Sequence, residues 1–226
     1  MGIGFRVLQR QRAVSSDIVA AFADLPVANA SDSMWRMTAG GARLTARHRK
    51  GVRMAGPALT VKTRPGDNLL VHKAIEMAVP GDVIVVDAGG DLTNALIGDL
   101  MTTLALTRFI NGFVINGAIR DADEIHDSGM AVYAAGVSHR GPYKDGPGEI
   151  NVPVAIDGMV IEPGDLVIGD GDGFLCVPFD VAAEVLEATR AKKATEDAEM
   201  VRIRSGRADR AWVDDALKAR GCVMEA

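Results

Sequence analysis

The run Asp82-Val83-Ile84-Val85-Val86-Asp87, followed further on by Asn111-Gly112-Phe113-Val114-Ile115, decides the fold class of this chain. Val83 to Val86 are all apolar and β-branched, so the run has no polar face and reads as a strand buried on both sides. Phe113-Val114-Ile115 reads the same way. Between the two runs, after the turn Gly89-Gly90-Asp91, Asn94 starts a predicted helix with Ile97, Met101, Leu104 and Ala105 on one face, and Asn111-Gly112 ends it. Strand, helix, strand predicts a crossover unit with parallel strands. Open parallel sheets carry their chemistry in loops at the carboxyl ends of the strands, and Arg120-Asp121 stands just past one such end.

The flanking sequence extends this unit into an α/β domain. Ser16 caps a predicted helix carrying Ile18, Val19, Phe22 and Leu25, which Pro26 closes. Residues 40–53 hold Gly40, Gly41, Arg43, Arg47, His48, Arg49, Lys50, Gly51 and Arg53, a basic stretch read as a solvated loop. Ala58, Leu59 and Val61 mark a strand. Gly66-Asp67-Asn68 then caps a helix through His72, Ala74, Ile75 and Ala78, ended by Pro80-Gly81. Downstream come a strand over 131–135, a Gly/Pro-rich loop over 136–148, and an Asp157-Gly158 pair between Val154-Ala155-Ile156 and Met159-Val160-Ile161, which signals a hairpin. Pro163-Gly164-Asp165-Leu166-Val167-Ile168-Gly169-Asp170 echoes residues 80–87, a reused turn-and-strand geometry and not a repeat architecture. From Asp180 to about Ser205 a helix is expected with Val181, Val185, Ala188 and Ala191 on its apolar face, and a shorter one around Trp212. The expectation is one domain over 1–180 and a helical extension over 181–226 that packs on a neighbouring subunit.

Composition narrows the function. With 48% apolar residues, 24% charged and only 4% aromatic, the chain is globular, and its core must be built from aliphatic side chains. A net charge of −5 repels a phosphate backbone, so nucleic acid is not an expected partner, although a local Arg can still hold a carboxylate. No apolar stretch reaches the roughly 18 residues of a membrane span. A cytoplasmic, soluble protein is expected, and Cys176 and Cys222, far apart and without CxxC spacing, fit a reducing compartment and argue against a cysteine zinc site.

Asn116-Gly117-Ala118-Ile119-Arg120-Asp121 leads into Asp121-Ala122-Asp123-Glu124, the acidic first turn of a helix. Arg120 can meet an anion there. Asp121, Asp123 and Glu124 offer hard oxygen donors of the kind Mg²⁺ or Mn²⁺ takes. The same acids could serve only the helix dipole, with Arg120 paired to one of them. A further acid, Asp99 in Gly98-Asp99-Leu100-Met101, lies upstream, and one helix plus one strand can bring it to the same sheet edge.

The pattern Asp99, twenty residues, Arg120-Asp121, two residues, Glu124, set between Asp87-Ala88-Gly89-Gly90 and Asn116-Gly117-Ala118-Ile119, resembles the RraA-like family over about residues 16–180. That family includes 4-hydroxy-4-methyl-2-oxoglutarate aldolases, and the names regulator of RNase E activity A and demethylmenaquinone methyltransferase are also attached to it. The resemblance implies a three-layer β/β/α swivelling-type fold assembled as homotrimers or homohexamers. It implies a metal-dependent lyase that cleaves 4-hydroxy-2-oxo acids or decarboxylates oxaloacetate through a pyruvate enolate. In this reading Asp121 holds Mg²⁺ or Mn²⁺ largely through waters, and Arg120 binds the substrate and stabilises the enolate. The turn Gly98 to Met101, with Asp99 and Leu100 between, offers N–H groups to the pyruvyl carboxylate, and Asp99 orients or deprotonates a water on the metal. Asp123 and Glu124 stand behind this set, and Glu196 is the acid a neighbouring subunit would lend. The other reading the family admits is a non-catalytic regulator that binds a ribonuclease or another protein, and the complete acid set favours the enzyme.

Competing motifs are weak. Gly89-Gly90-Asp91 lacks the GxGxxG spacing of a methyltransferase cofactor loop, and Asp170-Gly171-Asp172-Gly173 lacks the twelve-residue calcium frame and reads as a tight turn. Lys62 and Lys73 have no Schiff-base signature. None of His48, His72, His126 and His139 has metal-ligand spacing, and His139-Arg140 draws interest only because a mobile loop can close over an anion.

Overall fold

The structure, a computed structural model, describes residues 2–38 and 43–224, so Gly40 and Gly41 of the basic stretch lie outside the described residues. The chain opens with β1 (Phe5–Val7), α1 (Ser16–Phe22), α2 (Val27–Ser33) and β2 (Thr45–Ala46). The crossover region follows as β3 (Met54–Thr63), α3 (Leu69–Met77), β4 (Val83–Asp87), β5 (Ala95–Ile97), α4 (Asp99–Thr107), β6 (Gly112–Ile119), α5 (Ala122–Ser128) and β7 (Ala131–Val137). Then come β8 (Gly148–Ile150), the hairpins β9 (Val154–Ile156) with β10 (Met159–Ile161) and β11 (Leu166–Asp170) with β12 (Gly173–Val177), α6 (Ala182–Arg204) and α7 (Ala211–Ala219).

The main sheet runs β1-β8-β3-β4-β6-β7-β2, with β3, β4, β6 and β7 mutually parallel. Val85 at its centre pairs with Thr60 on one side and Val114 on the other. Alternation along β4 and β6 feeds two cores, as the period-2 geometry of a strand requires. Ile84, Val86, Phe113 and Ile115 face a core with α3, α4 and α5, while Val83, Val85 and Val114 face a core with the hairpins, α1, α2 and α6. The layers are therefore helices, main sheet, a second β layer, and helices closing the far side. The expected parallel crossover and the Asp157-Gly158 hairpin are both present. Asp157 and Gly158 take φ of 50° and 86°, the left-handed pair a tight two-residue turn needs.

Several details differ from expectation. The segment read as a helix from Asn94 is instead β5, and α4 begins only at Asp99. The cause is tertiary: β6 runs on to Ile119, past the end of β4, and its exposed ladder is filled by Ala95 opposite Ala118 and Ile97 opposite Ile119. Asn116 to Ile119 thus continue the buried strand and do not follow it. The cap of α1 is Ser15, whose hydroxyl accepts from the Ile18 N–H, with Ser16 the first helical residue. In the basic stretch Leu44 and His48 are buried, so it is not wholly a solvated loop. The buried stripe of α6 is Ala182, Val185, Leu186 and Thr189, while Ala188 and Ala191 are exposed. That stripe packs on α1 and α2 of the same chain. Among the described residues no helix is long and apolar enough to cross a membrane.

Candidate active site

Two parallel strand ends meet here. β5 ends at Ile97, β6 ends at Ile119, and the Arg120 N–H donates to the Ile97 carbonyl at 3.0 Å. This backbone bond puts Gly98-Asp99 beside Arg120-Asp121. Asp121 then takes φ 54° and ψ 48°, a left-handed conformation that Asp tolerates better than most residues, and serves as the N-cap of α5. Its Oδ2 accepts from the Asp99 N–H at 2.9 Å and lies 3.6 Å from Arg120 Nε. Gly98 makes room for this. A Cβ at residue 98 would collide with Asp121 Oδ2 and lie 3.0 Å from Arg120 Nε. Both functional side chains stay open to solvent, at 42% for Arg120 and 37% for Asp121.

Of the N–H groups expected from Gly98 to Met101, that of Asp99 is committed to Asp121 and that of Met101 to the Gly98 carbonyl at 3.1 Å. The N–H of Leu100, which is 80% exposed at the start of α4, has no partner among the described residues and lies at the positive end of the helix.

Beside Arg120 opens a cavity of about 290 Å³. Asn68 and His72 of the α3 side form one wall, Gly98, Leu100 and Met101 another, and Gly141 and Lys144 of the loop after β7 a third. Among the described residues no carboxylate lines it, whereas Arg120 and Lys144 do, so it suits an anion. Burial first, and then the charge of Lys144, hold the His72 imidazole below its ordinary pKa against the pull of Glu76, which keeps that ring neutral near pH 7. Asn68 Nδ2 donates to the Leu96 carbonyl at 2.8 Å, while Asn68 Oδ1 is buried without a partner among the described residues.

The structure brings together Gly98, Asp99, Leu100, Arg120 and Asp121, with Met101 lining the cavity. Asp123 and Glu124 are exposed on the first turn of α5, and no group of three or more His, Cys, Asp or Glu that could hold a metal occurs among the described residues. Glu196 accepts from Asn29 Nδ2 at 2.7 Å and pairs with Lys192, on the face between α2 and α6. Within one chain the loop after β7 reaches the cavity through Gly141, Pro142 and Lys144, while His139 and Arg140 stay exposed outside its lining. Sequence reading passed over Asn68, His72 and Lys144. The spacing of Asn68 and His72 by four residues at a helix start was a signal for a shared face, but nothing local marked that face as a site wall.

Fold and site together define an α/β protein whose strand ends hold an Arg, two acids and a helix N-terminus, the Arg and the helix start lining an adjacent cavity that the acids do not line. The RraA-like family model, described as Aldolase/RraA, matches residues 27–176, and the chain belongs to that family. A Halalkalibacterium halodurans protein with the provisional name 4-hydroxy-4-methyl-2-oxoglutarate aldolase is 38% identical over 185 residues, covering 80% of this chain and 86% of its own. The 4-hydroxy-4-methyl-2-oxoglutarate aldolase of Thermus thermophilus is 35% identical over 126 residues, 56% of this chain and 76% of that one. The solved structure of the RNA-processing inhibitor RraA from Thermus thermophilus superposes with a TM-score of 0.63 at 29% identity, over 69% of this chain and 93% of its own.

Proposed function

We propose that the protein is a divalent-metal-dependent carbon–carbon lyase acting on small 2-oxo acids, cleaving 4-hydroxy-2-oxo acids and decarboxylating oxaloacetate. The observation that carries the reading is the join of Asp99, Arg120 and Asp121 at a helix N-terminus, beside a cavity lined by cations and no carboxylate. Aldolase names on relatives of moderate identity support it.

The donor chemistry fits a hard cation. Asp121 presents a half-exposed carboxylate, and Mg²⁺ or Mn²⁺ bound through one or two carboxylates keeps several waters, so three protein ligands are not required. When bound, such an ion supplies Lewis-acid stabilisation of the charge that develops on the 2-oxo oxygen. The chain's own groups do the rest. The Leu100 N–H and the start of α4 take the substrate carboxylate. Arg120 donates to the 2-oxo oxygen, and its guanidinium stabilises the enolate. Asp99, on the first turn of α4, draws the proton from the 4-hydroxyl, directly or through a water. The C3–C4 bond then breaks, C4 becomes a carbonyl, and the electron pair passes to C3 and the 2-oxo oxygen as pyruvate enolate, which is protonated at C3. In oxaloacetate CO₂ leaves from the same position. The extension with Glu196 is read as serving a site in a second copy, in a trimer or hexamer.

Arg120→Lys and Asp121→Asn separate the roles. Arg120→Lys keeps the charge but loses the planar fork, so kcat should fall about 100-fold to 1,000-fold and added metal should not restore it. Asp121→Asn should weaken metal binding, seen by calorimetric titration with Mn²⁺, and excess Mg²⁺ should recover part of its pyruvate release. Chelator treatment of the wild type should abolish activity, and either ion should restore it. Turnover of both folded variants near the wild-type rate would refute the assignment. The Thermus RraA likeness favours a second reading, a non-catalytic regulator of a protein partner. Absence of pyruvate from either substrate class above the metal-only background would select it.

A further inference from the structure

The carboxylate of Asp67 is fully buried, yet no reaction step above uses it. Its Oδ1 accepts from the Leu69 N–H at 3.0 Å, at the start of α3. Its Oδ2 accepts from the Asp145 N–H at 2.8 Å, the Gly146 N–H at 2.9 Å and Arg64 Nη2 at 3.1 Å. A buried charge is stable only when hydrogen-bonded and paired, and these four donors meet that need. Three of them are backbone N–H groups, and two belong to the loop that carries Lys144. The same loop is tied by the Asn68 N–H to the Tyr143 carbonyl at 3.0 Å, and by the Tyr143 N–H to the Gly66 carbonyl at 2.8 Å. Arg64 also lies over the Tyr143 ring, 5.8 Å from its centroid. Lys144 sits between these ties, on the wall of the cavity beside Arg120.

We propose that Asp67 is a positioning residue for the lyase reaction: its buried carboxylate clamps residues 143–146 so that Lys144 faces the second carboxylate of a dicarboxylic 4-hydroxy-2-oxo acid. The inference rests on the lyase reading. Arg120 and Lys144 both line the cavity, so with Leu100 and Arg120 taking the pyruvyl end, Lys144 is the cation left for the further carboxylate that a 4-hydroxy-4-methyl-2-oxoglutarate-type substrate carries.

The test compares 4-hydroxy-4-methyl-2-oxoglutarate with 4-hydroxy-2-oxopentanoate, which lacks the second carboxylate. Asp67→Ala removes both acceptor oxygens, so the Asp145 and Gly146 N–H groups both lose their partner. KM for the dicarboxylate should rise about tenfold, with kcat and the kinetics of the monocarboxylate little changed. Lys144→Met should raise the dicarboxylate KM by a similar factor, and the double variant should add little, since both act through one contact. Amide hydrogen exchange on the wild type reads the clamp directly. The Asp145 and Gly146 amides should be protected there, and should exchange at open-loop rates in Asp67→Ala. Should that variant not fold, wild-type protection and Lys144→Met still decide. Unprotected wild-type amides, or equal KM changes for both substrates, would overturn the clamp alone. A wild type that cleaves neither substrate would overturn the lyase reading and this role with it.

Discussion

Gly98→Ala is a small change that should separate activity from stability. Gly98 is extended, at φ −151° and ψ −169°, a conformation any residue adopts, so alanine meets no backbone penalty there. Loss of glycine's freedom in the unfolded chain should add about 0.4–1 kcal/mol of stability. Against this, the new Cβ collides with Asp121 Oδ2 and presses on Arg120 Cγ and Nε, each 3.0 Å away. Asp121 must move, and its bond from the Asp99 N–H is weakened or lost. A hydrogen bond to a charged group contributes about 1.5–3 kcal/mol, discounted to roughly 1 kcal/mol because this carboxylate is 37% exposed. The two effects nearly cancel, leaving a net loss of about 0–1 kcal/mol and a Tm lower by no more than ~4 °C. Activity has no such offset. Displacing the enolate-stabilising Arg and the metal-holding Asp by about 1 Å costs on the order of 100-fold. Pyruvate release coupled to lactate dehydrogenase, beside thermal unfolding followed by circular dichroism, measures both. A variant within threefold of wild-type turnover would show that Arg120 and Asp121 do not act from the positions described.

Two further outcomes concern stability. Burial, above all, holds the His48 pKa below its ordinary 6.5, with His126 adding to the effect and a backbone contact to Val132 opposing it. The ring's Nδ1 lies 2.9 Å from the Val132 nitrogen and 3.0 Å from the Val132 carbonyl, so the neutral ring accepts from the N–H, while the protonated ring could donate to the carbonyl but still bears the larger cost of burial. The unfolded chain therefore binds this proton at higher pH than the native protein; the contribution is complete above about 6.5 and is lost as pH falls toward the depressed native value. His48→Asn keeps an acceptor without titrating, so its Tm should fall less than the wild-type Tm between pH 7 and 5, and parallel curves would refute the assignment. Tyr133, fully buried between His48 and Phe174, donates to the Asp170 carbonyl at 2.8 Å. Tyr133→Phe should cost about 1 kcal/mol, or ~2–4 °C in Tm, and an unchanged midpoint in a calorimetric scan would contradict it.

What could be read without coordinates was whatever local pattern dictates. Val83 to Val86 can only be a two-sided buried strand, and Asp157-Gly158 supplies the left-handed pair that a tight hairpin requires. Asp99 and Arg120-Asp121 were legible because each ends a buried strand or starts a helix, where parallel sheets gather functional groups. The failures share a cause: each depends on a partner distant in sequence. Ala95-Leu96-Ile97 is too short to show a period, and only the edge of β6 left free past the end of β4, at Ala118 and Ile119, makes it a strand. The buried stripe of α6 is set by where α2 lies. Lys144 lines the cavity just before Asp145 and Gly146, whose N–H groups donate to Asp67, 78 and 79 residues earlier.

Relatives of this chain carry both an aldolase name and an inhibitor name, so the fold alone cannot choose between catalysis and regulation. The choice falls to features that only one of these roles requires. A surface that docks a protein has no need of a left-handed Asp121, which costs on the order of 1 kcal/mol or more unless its side chain is wanted in that place. Nor does it need a residue without a side chain at Gly98 so that an Asp and an Arg can crowd against a helix start, or a buried Asp67 to hold a lysine over a cavity with no counter-charge. These costs fall at three separate points of the chain and converge on one small volume. Convergence of that kind is what a site for a small anion demands, because placement there must hold to a fraction of an ångström, whereas a docking face distributes its energy over a wide area. Gly98→Ala tests the same distinction, since a buried methyl group would stop a lyase and leave a docking face intact.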